Sequence, residues 1–453
     1  MFENINKVHF VGIGGVSMSG LAEIMHTEGF IVSGSDANSN FLTNKLKNLG
    51  IKVFENQVYE NVADDIDMLI YTVAVKENNP EILAAKNKNI KIIDRAELLG
   101  AIMRRFKYPI SISGTHGKTT TTSMLSEILL EMDVNPTIAV GGILNSIGSN
   151  FHIGDKDYFV VESCEYYDSF LKLHPYIGII LNVEKDHTDY FKDISQIQNS
   201  FNQFAKNIDE NGYLIINKNI LGFEKIISGV SCNIVTFGGE DADFSINNLT
   251  YKNGLPSFDV NYKGSTLKNV ILSVPGNHNI QNALASLATI HSLELPLEDA
   301  VNHLQGFKTP NRRFQFKGEF NNIKIIDDYA HHPTEIQETL SAVKKQSYNK
   351  IFSVFQPHTY TRTKAFLNEF VDSFEDADVV VLLDIYAARE KDTGLVSSKN
   401  LVELMEQKGK DVIYANSFED AEKFLLENCS SGDVIITMGA GDVYLIGEHI
   451  LSR

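Results

Sequence analysis

The chain is short of cysteine, of positive charge and of long apolar runs. Its three cysteines (Cys164, Cys232, Cys429) form no motif and are too few for a disulfide framework, which predicts a reducing compartment. Lysine and arginine number 40 against 58 acids, a formal charge of −18. That excess argues against nucleic acid or an anionic membrane as partner. No uninterrupted apolar stretch approaches the length of a membrane span, and no secretory signal precedes the first strand pattern at Lys7. Short-period repeats and low-complexity tracts are also missing. A cytoplasmic, globular protein is expected, with 453 residues giving room for about three domains. The scarcity of cations has a further consequence. An anionic substrate must be held by the few places where Arg, Lys and His concentrate.

What is present is a repeated alternation of strand and helix patterns, which implies parallel sheets wrapped by helices. Residues 1–107 carry strand patterns at Lys7–Ile13, Ile31–Asp36, Met68–Val75 and Lys91–Asp94, with a helix over Met18–Gly29. Residues 108–310 continue with strands at Tyr108–Ile112, Asp157–Glu162, Tyr176–Asn182 and Gly212–Asn217. Within them, helices are expected over Met124–Met132 and Asn277–Leu293, and residues 231–274 read as an antiparallel appendage. Residues 311–453 repeat the unit around Ile323–Asp328, Lys350–Phe355, Asp378–Asp384, Asp411–Tyr414 and Asp433–Met438. The expected fold is α/β in three domains: a Rossmann-like first domain, a central domain of P-loop ATPase type and a Rossmann-like third domain.

The most telling segment is Gly114-Thr-His-Gly-Lys-Thr-Thr120, between a strand and a helix. Glycines let backbone N–H groups approach phosphate oxygens, and a helix N-terminus adds partial positive charge. Lys118 adds a full charge, and the Thr119 hydroxyl can ligate Mg²⁺. A capped helix start would tolerate Lys118 but gives no reason for Gly117, Lys118 and Thr119 together. Glu162 ends one strand of the same domain and His187 follows another, so their side chains should gather with Thr119 at the carboxyl edge of the sheet, a set suited to Mg²⁺.

A second glycine loop, Gly12-Ile-Gly-Gly-Val-Ser17, also joins a strand to a helix, with Asp36 at a ribose-binding distance along the chain. A dinucleotide fits this loop, and a nucleoside-diphosphate sugar fits it equally well. Gly12, Gly14, Gly15, Ser17, Asp36 and Thr72 are the candidate contacts. In the third domain, Asp328-Tyr-Ala-His-His-Pro-Thr-Glu335 and Gln356-Pro-His-Thr-Tyr-Thr-Arg362 both follow strands, and Arg312-Arg313 stand at the hinge. Solvated, capped loops would account for the Pro and Thr residues. They leave the recurrence of His331, His358 and Arg362 unexplained.

Taken in order over nearly the whole chain, these motifs resemble the Mur ligases of peptidoglycan synthesis. Asn182-Val-Glu-Lys-Asp-His187, Gly276-Asn-His-Asn-Ile-Gln-Asn282 and Arg312-Arg-Phe314 extend the likeness. The resemblance implies an ATP-dependent amide bond between the lactoyl carboxylate of UDP-N-acetylmuramate and L-alanine, made through an acyl phosphate. A ligase of cell-wall recycling that takes a tripeptide is the nearest alternative, and a nicotinamide-dependent oxidoreductase a more distant one. By motif, Gly114, Thr115, His116, Gly117, Lys118, Thr119 and Thr120 would cradle ATP, and Asn279 and Asn282 would lie near adenine. Thr119, Glu162 and His187 would hold Mg²⁺. Arg313 and Asp328 would reach the γ-phosphate and ribose, while His331, His358 and Arg362 would hold the amino acid. Lys118, Glu162, His187, Arg313 and His331 are the catalytic candidates, with either His187 or His331 as the base that accepts the amine proton. The first domain would bind the sugar nucleotide, and the protein would act as a monomer or homodimer. The stretch Ser163-Cys-Glu-Tyr-Tyr-Asp168 departs from the family pattern and leaves the roles of Glu165 and Asp168 open. Ala387–Glu390 departs as well.

Overall fold

The computed structural model describes residues 2–72, 74–388 and 390–453. Val73, inside the strand expected over Met68–Val75, and Arg389, inside the departing Ala387–Glu390 segment, lie outside the described residues. Three sheets follow one another along the chain. The first is five-stranded and wholly parallel, in the spatial order Lys52–Phe54, Ile31–Ser35, Lys7–Val11, Met68–Tyr71, Lys91–Asp94. Its three inner strands are short and largely buried, as a parallel sheet covered on both faces requires.

The central sheet has ten strands. Its parallel middle sets Tyr108–Ser113 between Asp155–Glu162 and Ile177–Ile180, with Tyr213–Asn217 and Asn233–Phe237 beyond. The antiparallel meander Phe244–Lys252, Leu255–Tyr262, Ser265–Ile271 extends that same sheet. The expected appendage is therefore part of the central layer, because Asn233–Phe237 pairs in parallel with its neighbour before the chain turns back. The third sheet has six strands, all parallel except the edge strand Gln315–Phe320. No helix among the described residues is long and apolar enough to cross a membrane.

The first two sheets share one core. Phe151, Phe159 and Val161 of the central sheet pack with Phe10, Leu21, Leu98 and Ile102. Two glycines permit the approach. A Cβ on Gly20 would stand 2.4 Å from the Phe151 ring, and one on Gly100 would stand 2.2 Å from the Lys172 carbonyl oxygen. The second contact seats the Arg95–Met103 helix on the Tyr166–Lys172 turn. It brings the start of that helix to the mouth of the central sheet.

Candidate active site

The central loop leaves the strand Tyr108–Ser113 and enters the helix Lys118–Glu131. That helix begins at Lys118, six residues before the expected Met124. Its cap is Gly117 at φ +81 with no side-chain cap bond, so the first-turn N–H groups face outward unpaired by any cap. Asn182 clamps the loop on both sides: the His116 N–H donates to its Oδ1 at 2.8 Å, and its Nδ2 donates to the His116 carbonyl at 3.1 Å.

Lys118 Nζ donates to the Gly114 and Thr115 carbonyls at 2.5 and 3.0 Å and to Glu165 Oε2 at 3.1 Å. Burial opposes its charge, but Glu165, Cys164 and Glu162 outweigh that and hold its pKa above the ordinary lysine value. Thr119 Oγ1 donates to Glu162 Oε1 at 3.1 Å, and the Gly141 N–H donates to Glu162 Oε2 at 2.8 Å. His187 stands on the far side of Glu165, with Nε2 at 3.6 Å from its Oε1 and its ring stacked on Tyr166 at 4.4 Å. Burial works against a charged His187, yet Cys164, Glu165 and Asp186 raise it to about 10. Thr119 and Glu162 are thus in contact, while His187 is linked to them only through Glu165 and Lys118. Two oxygen donors of this kind fit a hard divalent cation. His187 would have to give up its proton before it could ligate one.

A cavity of about 300 Å³ opens between this loop, the Asn277–Ser292 helix and the third sheet, lined by Gly117, Thr120, Asn279, Asn282, Arg313 and Asp328. Asn282 Nδ2 donates to Asn279 Oδ1, and a Cβ on Gly117 would meet Asn282 Oδ1 at 2.8 Å. Arg313 reaches Thr119 Oγ1 at 3.5 Å and lies over the Tyr329 ring. Burial lifts the Asp328 carboxyl to about 6 despite Arg313 and the Ala330 and Phe314 amides that bond it.

The third sheet closes on the central one through a seam of histidines and acids. His116 Nδ1 lies 3.2 Å from Glu335 and its Nε2 3.5 Å from Glu184. Thr334 Oγ1 donates to Glu184 at 2.7 Å, and His332 Nε2 bonds the Lys185 carbonyl at 3.1 Å. Burial works against the charge on His116, but Glu184 and Glu335 raise it to about 9.

A second cavity of about 550 Å³ borders the seam and is lined by Tyr166, Asp186, His187, His358 and Arg362. Arg362 Nη2 donates to both Asp186 oxygens at 3.0 and 3.1 Å, and Nη1 lies 3.1 Å from His358 Nδ1. Against the effect of burial, Arg362 holds the Asp186 carboxyl well below the usual range. His331 is pushed down to about 3 by burial and is a neutral imidazole, its ring 5.6 Å from that of His358.

At the first glycine loop, every loop amide is already bonded. Gly12 and Ile13 N–H donate to the Ser35 carbonyl, Gly14 N–H to Asp36 Oδ2 at 2.9 Å, and Gly15 N–H to the Gly12 carbonyl. Thr72 packs beneath the turn, 3.2 Å from where a Gly12 Cβ would lie. The helix Val16–Thr27 starts after Gly15 with no side-chain cap, and Arg95 Nη1 donates to the Ser17 hydroxyl at 3.2 Å. Arg95 makes no ion pair among the described residues, and burial draws its guanidinium below the ordinary value.

Sequence reading assigned nothing to Arg95, Cys164, Glu165, Asp186 or Glu335. The turn holding Cys164 and Glu165 was visible only as a departure from a pattern. Arg95 offered no signal at all.

The Mur ligase family catalytic domain matches residues 7–107, the Mur ligase middle domain residues 112–290, and the glutamate ligase domain of Mur ligases residues 312–441. The chain is 51% identical to a UDP-N-acetylmuramate–L-alanine ligase of Agathobacter rectalis, covering 98% of both chains. It is 49% identical to the one from Acetivibrio thermocellus, over 98% of this chain and 95% of that one. Among solved structures, UDP-N-acetylmuramate–alanine ligase from Thermotoga maritima superposes with a TM-score of 0.80 at 29% identity, covering 99% of this chain and 98% of that one. A murein peptide ligase from Psychrobacter arcticus, at 24% identity, shares the fold over 99% of this chain and 98% of its own, with a TM-score of 0.70.

Proposed function

The chain belongs to the Mur ligase family, and from that premise we propose that it joins L-alanine to the lactoyl carboxylate of UDP-N-acetylmuramate with ATP, in the cytoplasm. The observation that carries this reading is the run of contacts that joins Lys118 and the Thr119–Glu162 pair to Arg313, which lines the cavity between the second and third sheets. A carboxylate is a poor electrophile, since its charge repels nucleophiles and oxide leaves badly. Transfer of a phosphoryl group to it makes phosphate the leaving group. Two anions must then be brought together, and Lys118 and Arg313 supply fixed positive charge where that repulsion is greatest.

Thr119 and Glu162 would hold Mg²⁺, which when bound adds further charge neutralisation at the phosphates. Gly114–Thr120 would cradle the triphosphate, with Asn279, Asn282 and Asp328 around the nucleoside. Gly12–Ser17, Asp36 and Thr72 would border the sugar nucleotide. His358 and Arg362 open on the second cavity, which suits the amino acid. The incoming amine must lose a proton. The candidate acceptors are His187, which lines the second cavity, and His331, whose ring lies 5.6 Å from that of His358. The seam that joins the third sheet to the central one would shield the acyl phosphate from water, which would hydrolyse it.

The test is phosphate release by the purified chain with ATP, Mg²⁺ and UDP-N-acetylmuramate, with L-alanine or the cell-wall tripeptide as second substrate. Release that depends on L-alanine is expected. Release with the tripeptide alone, or with neither, overturns the assignment.

A further inference from the structure

Glu165 is 2% exposed, and the reaction described above gives it no task. Both carboxylate oxygens accept from Lys118, Oε2 at 3.1 Å and Oε1 at 3.4 Å, and Oε1 also stands 3.6 Å from His187 Nε2. An ammonium has three donors. Those of Lys118 go to the Gly114 carbonyl, the Thr115 carbonyl and Glu165, so none is left over for a ligand. For Lys118 to meet a phosphate, one of these partners must be given up. Glu165 is the only anion among them, and its repulsion of an arriving phosphate is strongest in so enclosed a place.

Glu165 itself is not free to follow. The turn after it puts two consecutive non-glycine residues in the left-handed region, Tyr167 and Asp168, both at φ 53. Such a pair persists only where its surroundings over-determine it. Here Asp168 accepts from the Tyr190 hydroxyl at 2.6 Å and from the Ser200 hydroxyl, and the Asp168 N–H donates to the Glu165 carbonyl at 2.9 Å. Tyr166 donates to Asp189 at 2.5 Å while its ring covers His187. The backbone carrying Glu165 is pinned from outside the pocket, and the flexible partner is the lysine.

We propose that Glu165 is a positioning residue: in the empty enzyme it holds the place on Lys118 that the terminal phosphate of the nucleotide takes, and it keeps the His187 imidazole aimed when Lys118 turns away. The inference rests on the ligase reading above. It gives one carboxylate two opposing effects: it competes with the nucleotide for Lys118, and it supports turnover through His187.

Glu165→Gln removes the competing charge and the anchor together. In the full-length protein, calorimetric titration with Mg²⁺ and a non-hydrolysable ATP analogue is expected to show binding about fivefold tighter than wild type, while kcat for alanine-dependent phosphate release falls at least about tenfold. Glu165→Asp, one methylene shorter, is expected to move both quantities in the same directions by less. A residue needed only for packing would weaken nucleotide binding, turnover and thermal stability together, and that outcome overturns the proposal. So does an unchanged kcat, or nucleotide binding that is unchanged or weaker. If Glu165→Gln does not fold, Glu165→Asp carries the same test with the same reversals. Wild-type protein without alanine-dependent release would refute the ligase reading itself. Wild-type activity with both variants unaltered would refute only the role of Glu165.

Discussion

The two glycine loops of this chain start alike and finish differently. Each follows a buried parallel strand and precedes a helix without a side-chain cap, and each has a carboxylate from elsewhere in its own sheet unit bound to it. In the first loop that carboxylate is Asp36, bonded to a backbone amide. In the second it is Glu165, bonded to the Lys118 side chain. Gly12–Gly15 keep no free amide, so the first loop can offer an anion only the opening turn of its helix and the nearby guanidinium of Arg95. The second loop offers a helix start and a full charge at the same point. A helix end is worth roughly half a unit charge, whereas a buried ammonium is worth a whole one in a low-dielectric setting. That difference suits the first loop to binding a diphosphate that does not react, and the second to a phosphate that does.

Removing the charge from the second loop should break the comparison most severely. Lys118→Ala is expected to lower kcat/KM by about 10³-fold, with the circular dichroism spectrum unchanged. Steady-state kinetics with residual turnover near wild type would show that the charge is not what separates the loops.

Smaller effects should sort by substrate. Arg95→Ala is expected to raise KM for UDP-N-acetylmuramate about tenfold and leave KM for ATP alone, as loss of one charge-assisted contact predicts. Initial rates with each substrate varied in turn give both numbers, and equal changes in both would erase the division of labour between loops. Gly117→Ala acts on the opposite side. Its φ of +81 and the 2.8 Å approach to Asn282 leave no relaxed place for a methyl group. It should raise KM for ATP by about tenfold and cost on the order of 1–2 kcal/mol in urea unfolding.

The least effect concerns pH. His116 of the second loop has its pKa raised from 6.5 to about 9, so folding with the third sheet docked favours its protonated form. Its contribution is complete below pH 6.5 and is lost as pH rises through about 9. Melting temperatures of wild type should therefore decline between pH 7 and about 9.5, and His116→Asn should flatten that decline. The first loop has no histidine to give it a comparable dependence.

Much of this architecture is legible in the amino-acid sequence. Runs rich in apolar residues mark the strands at Lys7, Lys91, Tyr108 and Ile323, because strands buried on both faces favour apolar side chains. The helix at Lys118 was read six residues late for a specific reason. Its first turns are Lys-Thr-Thr-Thr-Thr, and β-branched polar residues carry neither an apolar period nor a helical preference. They are helical here because Gly117 turns the chain and Thr119–Thr122 are buried. The edge strand Gln315–Phe320 escaped notice because its partly exposed Gln-Phe-Lys-Gly-Glu-Phe run lacks a continuous apolar face. Of the site, Gly117, Lys118 and Thr119 announced themselves by spacing.

The sequence by itself determined the phosphate loop, the run of strand–helix units and the family, since each is written in neighbouring residues. Only the tertiary structure decided that Lys118 pairs with Glu165, that Arg362 grips Asp186 and that His116 meets Glu335, partners 47, 176 and 219 residues apart. The reason is that charge acts through space. A carboxylate's partner is whichever cation the packed sheets bring within about 3 Å, and no local pattern encodes that distance.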